Sequence, residues 1–275
     1  MPRSDAPSNP AAAPLDIDKV RQQLIPRRLG VKLHYFAEVG STNTRARELA
    51  ERGAQEGEVV IADAQTQGRG RLGRRWESPA GLNLYFSIIL RPRLAPAHAV
   101  QITLMAAVAL AEALDSFIAA TAEIKWPNDI LVGGKKLAGV LTDAACSADA
   151  IEHVILGIGI NVNYRREEMP EEIRARATSL ADLSGAFVAR ENVLARLIHA
   201  LDRCYGVLEQ SGFDALRPRW EARFALRGKL VRVEHLDQWI VGRARGIARD
   251  GALLVEDESG ALHNIYAGDV IALEN

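Results

Sequence analysis

"AQTQGRGRLGRRW", residues 64–76, sets Gly68, Gly70 and Gly73 in the spacing G-x-G-x-x-G, and Gly68 with Gly73 also opens a G-x-x-x-x-G phosphate loop. Each pattern belongs to a different fold, so the flanking residues decide between them. A dinucleotide fingerprint needs a helix directly after the glycines, so that the helix N-terminus faces the pyrophosphate. Here Trp76, Glu77, Ser78 and Pro79 follow, and then the strand-like "LNLYFSIILR" of 82–91. A Walker loop needs Lys-Ser/Thr after its last glycine, where this chain has Arg74 and Arg75. A kinase glycine loop does lie between strands, but the chain has no H-R-D or D-F-G to go with it.

There remains a loop of three glycines and four arginines: Arg69, Arg71, Arg74 and Arg75. Glycine lets backbone approach an anion closely, and guanidinium forks match phosphate and carboxylate. Such a loop suits a reaction that brings two anions together, such as a carboxylate attacking the α-phosphate of ATP. Two unit charges ~4 Å apart repel by about 4 kcal/mol at an effective dielectric of ~20. Positive side chains offset that repulsion and then hold the charge that grows in the transition state. The step needs no general base, because a carboxylate is already ionised at neutral pH. The plain alternative is a solvated basic loop.

A second stretch, "KWPNDILVGGKKLAGVL" (125–141), reads as strand, Gly-Gly turn, strand. It places Lys125, Asn128 and Asp129 at one end of a hairpin and Lys135-Lys136 after the turn. Singly these are an ordinary turn and a wet hairpin end. Beside a nucleotide, Asn and Asp hydrogen-bond a base or hold Mg²⁺.

Further out, "VKLHYFAEV" (31–39) alternates as a strand, and "EVVIADAQ" (58–65) is a strand running into the glycine–arginine loop. Between them "STNTRARELAERG" (41–53) is a helix that Ser41 or Thr42 caps and Gly53 closes. A long apolar helix is expected over 98–120; Glu112 and Asp115 interrupt it, which favours a buried helix over a membrane span. "HVILGIGINVN" (153–163) is a strand and "NVLARLIHALDRCYGVLEQ" (192–210) an amphipathic helix. From about Leu226 short strands alternate with tight turns at Asp250-Gly251 and Ser259-Gly260, which suggests a small β unit. At the start, "MPRSDAPSNPAAAPLDI" lacks a signal-peptide core and reads as disordered, followed by a short helix broken at Pro26.

With a net charge of -1 over 275 residues, the chain has no global pull toward nucleic acid or anionic membrane, so a local basic cluster points to a small anionic ligand. Cys146 and Cys204 make no disulfide framework or metal spacing, and a reducing cytoplasm is the expected setting.

Taken together, "STN" (41–43), "GRGRLGRRW" (68–76), "KWPNDI" (125–130), "KKLAGVL" (135–141) and "GIGIN" (157–161) resemble biotin–protein ligases, in that family's order, over about 33–273. The resemblance implies an α+β fold: a mixed β-sheet with helices like that of class II aminoacyl-tRNA synthetases, then an SH3-like barrel. It implies a lead-in over 1–30, a catalytic unit over 31–226 and a C-terminal unit over 227–275. It implies that biotin and ATP, with Mg²⁺, give biotinyl-AMP and pyrophosphate. Biotin then passes to a lysine of a biotin carboxyl carrier domain.

By motif position, Ser41, Thr42, Asn43 and Gln65 would line the biotin site, with Arg69, Gly70 and Arg71 covering biotin and its carboxylate. Arg74 would face the ATP phosphates, Trp76 the adenine, and Lys136 both biotin and the α-phosphate. Asn128 and Asp129 would lie on the nucleotide side, Asp129 with Mg²⁺, and Asn161 against adenine. Arg71 and Lys136 are the catalytic pair that this implies. Trp76 by itself reads equally as core.

Many bacterial members carry an N-terminal winged helix-turn-helix; the Pro/Ala-rich residues before the first strand do not suggest one, so a ligase without DNA binding is expected. Rivals are a lipoate or octanoate ligase on a related scaffold, a biotin-sensing DNA-binding repressor, and a non-catalytic nucleotide-binding module. The oligomeric state, monomer or homodimer, stays open.

Overall fold

In the computed structural model, which describes residues 13–25, 28–235 and 238–273, seven strands form one mixed sheet in the order β1-β2-β3-β7-β6-β5-β4. They are β1 (Lys32–Val39), β2 (Glu58–Gln65), β3 (Leu84–Leu90), β4 (Glu123–Lys125), β5 (Asp129–Val132), β6 (Lys135–Cys146) and β7 (Ile151–Ile160). Only β1 and β2 run parallel, and the helix α2 (Thr42–Glu51) crosses between them; the other neighbours are antiparallel. Alternate residues of the central strands point to opposite faces. Val60, Ile89 and Ile155 pack under Ala46 and Ala50 of α2, while Ile61, Ile88 and Leu156 join the larger core on the other face.

That larger core holds α1 (Ile17–Gln23), α3 (Val100–Leu114), the short α5 (Leu180–Ser184), then α6 (Arg190–Ser211) and α7 (Arg217–Glu221); the one-turn α4 (Glu171–Arg174), in the return from β7, buries none of its residues. The span Pro96–Phe117 is long and apolar enough to cross a membrane by composition. Thirteen of the fifteen residues of α3 are instead buried against the sheet and α6. The helix expected over 98–120 is shorter than that: it ends at Leu114, and Asp115 turns inward to accept from the Ala122 N–H (2.8 Å). Arg223 donates to the other oxygen of the same carboxylate, which ties the end of the helix to the segments at Ala122 and Arg223, and a 3-10 turn over Asp115–Phe117 follows.

The lysine-bearing stretch makes three strands, not the two expected. Trp126–Asn128 is itself a turn, so β4 and β5 pair before Gly133-Gly134 sends the chain into β6. Trp126 is 1 % exposed, and its indole donates to the Gly251 carbonyl of the C-terminal unit (3.1 Å).

That unit is a five-stranded antiparallel sheet, β11-β10-β9-β8-β12. Its strands are β8 (Leu230–His235), β9 (Gln238–Ile247), β10 (Leu253–Glu256), β11 (Leu262–Ile265) and β12 (Val270–Ala272). Gly251 and Gly260 take positive φ in the tight turns, as their sequence context requires. Residues 1–12 and Pro26 lie outside the described residues. Just after the former, Arg190 (4 % exposed) binds Asp63 and the Ala13 carbonyl at once, which ties the lead-in to β2.

Candidate active site

The face of the sheet under α2 is floored with glycine. Gly139 of β6 and Gly159 of β7 are cross-strand partners, and Gly157 pairs with Leu141 one step along. Nothing but glycine fits two of these positions. A Cβ on Gly159 would lie 2.6 Å from the Trp76 ring, and one on Gly157 would lie 1.9 Å from Asn43 Oδ1. The groups that approach this glycine floor are the chain's own Trp76 and Asn43.

Trp76 lies flat on that floor with Lys136 Nζ 5.2 Å from its ring centroid, within cation–π reach. Its Nε1 is buried and has no hydrogen-bond partner. A buried donor left unpaired costs about 1–3 kcal/mol, and the core indole of Trp220 is unpaired in the same way. Lys136 itself bonds Asp129 Oδ1 at 2.7 Å. Among the described residues no cluster of three metal-ligating side chains exists, and the Asp129 carboxylate is paired with Lys136.

The arginine loop closes on itself. Trp76 N–H donates to the Gly68 carbonyl (3.0 Å) and Gly70 N–H to the Arg74 carbonyl (2.7 Å), with Arg69 facing Arg75 as a β-bridge. Gly68 is needed because a Cβ there would meet the Trp76 carbonyl at 2.4 Å. Leu72 at the tip holds φ 55° and is 68 % exposed.

Arg71 Nη1 donates to Asn128 Oδ1 and its Nη2 to the Gly268 carbonyl, both at 3.3 Å. Burial pulls its guanidinium below the usual value, and the carboxylates of Asp129 and Asp269 oppose that pull. Arg74 is bonded to Asp269. Burial by itself would raise the Asp269 carboxyl; bonding to Arg74, with Arg74, Lys125 and Arg71 nearby, outweighs burial and holds it below the usual carboxylate range.

Ser41 begins α2 but makes no capping bond with its side chain. The Thr42 N–H donates to Gln65 Oε1 (2.9 Å), and the Thr42 hydroxyl sits against Gln65 Oε1 and Ser87 Oγ. Capping is therefore not what these hydroxyls do. Gln65 Nε2 in turn donates to Ser78 Oγ (3.0 Å), and Ser78 to the Trp76 carbonyl, so the two halves of the site are wired together. Arg69, exposed, reaches the Thr44 hydroxyl. Asn161 is turned away from the floor: its amide donates to the Thr178 carbonyl (3.0 Å) and accepts from Asn83 (3.5 Å).

Sequence reasoning passed over Ser87, Ser78, Asp143, Gly268 and Asp269. Ser87 alone had a signal, a lone hydroxyl in the apolar run "LYFSIIL". The other four become visible only in space.

A mixed sheet that presents an arginine–glycine loop, a lysine and an indole on one glycine floor defines an anion-joining ligase domain. Residues 35–161 match the biotin/lipoate A/B protein ligase family, and residues 228–272 match the biotin protein ligase C-terminal domain. The biotin–[acetyl-CoA-carboxylase] ligase of Mycobacterium tuberculosis is 36 % identical, with 94 % of this chain and 96 % of that protein covered. The bifunctional ligase/repressor BirA of Bacillus spizizenii is 37 % identical over 93 % of this chain and 78 % of that protein. The solved structure of Aquifex aeolicus biotin protein ligase in complex with biotin and ATP is similar with a TM-score of 0.76 at 33 % identity, covering 89 % of this chain and 100 % of that one. The chain belongs to the biotin protein ligase family.

Proposed function

We propose that this protein joins biotin to AMP from ATP, releasing pyrophosphate, and passes biotin from the biotinyl-5′-AMP to a specific lysine of a biotin carboxyl carrier domain. The observation that carries the reading is Lys136 set over the Trp76 ring on the glycine floor, with Arg71 held at the neighbouring Asn128 turn and the Thr42–Gln65 pair wired to the same loop.

In the first step a biotin carboxylate oxygen bonds to the α-phosphorus as the bond to pyrophosphate breaks. Arg71 and Lys136 lower the repulsion between the anions and hold the charge that builds on the phosphorus oxygens. In the second step the carrier amine attacks the acyl carbon and AMP leaves. Ser41, Thr42 and Gln65 take the ring end of biotin, supported by Asn43, with Arg69, Gly70 and Arg71 over its carboxylate. Arg74, Trp76 and Asn128 belong to the nucleotide side, and Asn161, whose amide is bonded to Thr178 and Asn83, backs it without facing it. Mg²⁺ would come with the triphosphate, where Asp129 would help hold it and the ion would neutralise phosphate charge. The catalytic unit runs over 31–226 and the C-terminal unit over 227–275. The setting is cytoplasmic, as a monomer or homodimer, and with a net charge of -1 DNA is not among the proposed partners.

The test is biotin-dependent exchange of labelled pyrophosphate into ATP. Exchange that requires biotin and Mg²⁺ supports the reading, and no exchange ends it. Lipoate in place of biotin separates the nearest rival, since a lipoate ligase would exchange only with lipoate.

A further inference from the structure

The ladder between β2 and β3 ends at Ala62↔Tyr85, and beyond it the two strands part into the arginine loop. Further out the loop is closed by contacts of its own, Gln65 with Ser78 and Gly68 with Trp76. Between the ladder and those contacts lies a neck, with Asp63 where the chain leaves β2 and Asn83 where it returns to β3. A side chain from α6 bridges it. Arg190 Nη1 donates to Asp63 Oδ1 (2.8 Å) and to the Asn83 carbonyl (3.1 Å), so one nitrogen spans both sides. The returning side is anchored in its own right, since Val162 N–H donates to Asn83 Oδ1 (2.9 Å) and Asn163 N–H to the Leu82 carbonyl (2.8 Å). Arg190 ties the departing strand to that anchor.

Both ions are buried, and each has a second set of partners. Asp63 also accepts from the Tyr35 hydroxyl and from the Leu15 N–H, and Arg190 Nη2 donates to the Ala13 carbonyl (2.6 Å). Two residues of the lead-in therefore hold one ion each. Nothing in α6 itself calls for arginine at its first position, because a cation in the first turn opposes the helix dipole. Nor does a buried ion pair add much net stability over apolar side chains of the same volume, because desolvation offsets the attraction. What a guanidinium adds is direction, since its donors are fixed in one planar fork.

We infer that Arg190 is a positioning residue for the arginine loop: with Asp63 it forms the rung that closes the loop's neck, and Ala13 and Leu15 of the lead-in hold that rung in place. Its consequence for catalysis rests on the biotin reading above. A loop that opens at the neck sets its arginines less precisely over the site, so the mixed anhydride is held more loosely. The lead-in then belongs to the support of the loop.

The experiment uses the full chain carrying Arg190→Lys, which keeps a charge opposite Asp63 but has one nitrogen where Arg190 uses two. Biotinyl-AMP should escape from it about tenfold faster than from the wild type, the change expected for one lost charge-assisted hydrogen bond. Hydrogen exchange at 68–76 without ligand should rise by a similar factor, while exchange in α3 stays at the wild-type rate. Tyr35→Phe removes a bond to the same carboxylate without touching the neck, so it should lower the melting temperature and leave escape unchanged. Where Arg190→Lys does not fold, Asp63→Leu combined with Arg190→Met replaces the pair by apolar side chains and should show the same fast escape and exchange. The inference is overturned if the folded variant keeps wild-type exchange at 68–76 and wild-type escape, or if Tyr35→Phe reproduces the loss. A wild-type chain that forms no biotinyl-AMP removes the biotin reading alone, because exchange at 68–76 tests the rung without ligand.

Discussion

Lys136 carries the most testable side-chain charge. It stands between Asp129 and the Trp76 ring, half-buried, with its ammonium oriented before any anion arrives. Its charge matters most when the α-phosphorus gains negative charge, so Lys136→Ala should slow adenylate formation by on the order of 10²-fold or more while changing biotin affinity far less. Single-turnover adenylation beside calorimetric biotin binding checks this, and unchanged turnover would make Lys136 a surface residue. Gly159 tests the floor: a methyl group would enter the Trp76 ring at 2.6 Å, and the far side of the strand is packed core. Gly159→Ala should lift the indole and raise ATP KM about tenfold or more, by losing a contact surface of the order expected for a displaced aromatic ring. An unchanged ATP KM would show that Trp76 does not meet the nucleotide. At this scale Arg69, Arg71, Arg74 and Lys136 were legible because they are forked or point charges at fixed spacing from glycines. Asn43 was legible as a site residue but not in its role, since whether an amide faces ligand or protein depends on Ser87, Leu141 and Asp143, none of them adjacent in sequence.

The loop of 68–76 is the element on which the chemistry turns. Its three glycines widen the unfolded ensemble and its four arginines repel one another without an anion, so ligand should shift it toward one closed form. Hydrogen exchange at 68–76 should slow with biotin and slow further with biotin plus ATP; equal protection in all three states would mean a loop already rigid. Arg71 joins the loop to the Asn128 turn and to the C-terminal unit. Arg71→Gly should therefore let biotinyl-AMP escape, read as biotin appearing on lysines of unrelated proteins in the same reaction. Sequence periodicity found the helices and most strands at this scale. It merged β4 and β5 into one strand although Pro127-Asn128-Asp129 also reads as a turn, and the pairing Lys125↔Asp129 decides for the turn.

Over the whole molecule, the C-terminal unit packs against the arginine loop, the Trp126 turn and α3. Gly268 and Asp269 meet Arg71 and Arg74, Arg249 O meets Gln101 of α3, and Gly251 lies against both Trp126 and Leu104. Gly251→Ala combines a left-handed backbone (φ 95°) with a Cβ 2.8 Å from Leu104, and should destabilise the fold by about 1–3 kcal/mol, lowering the melting temperature. A melting temperature equal to the wild type would show that the two units touch too loosely to couple. Asp269 adds a pH dependence. Its carboxyl is depressed in the folded chain, so its contribution is fully present above the unfolded value near ~4 and is lost as pH falls through the lower folded value. The difference in melting temperature between wild type and Asp269→Asn should accordingly be constant from about pH 5 to 8 and shrink below about pH 4. A difference that grows in acid would mean that Asp269 is held by something other than Arg74, Lys125 and Arg71.

The sequence by itself determined the local chemistry of this protein. Glycines at 68, 70 and 73, the interleaved arginines, and Lys136 after a Gly-Gly turn each act through covalent spacing, and spacing is written in the chain. Only the tertiary structure decided which groups share a site. Asp143 lies 100 residues from Asn43, and Asp269 lies 195 from Arg74. A carboxylate has no signature beyond its own residue; its role comes from the cation or amide that packing sets against it, and packing is the collective property of both sheets.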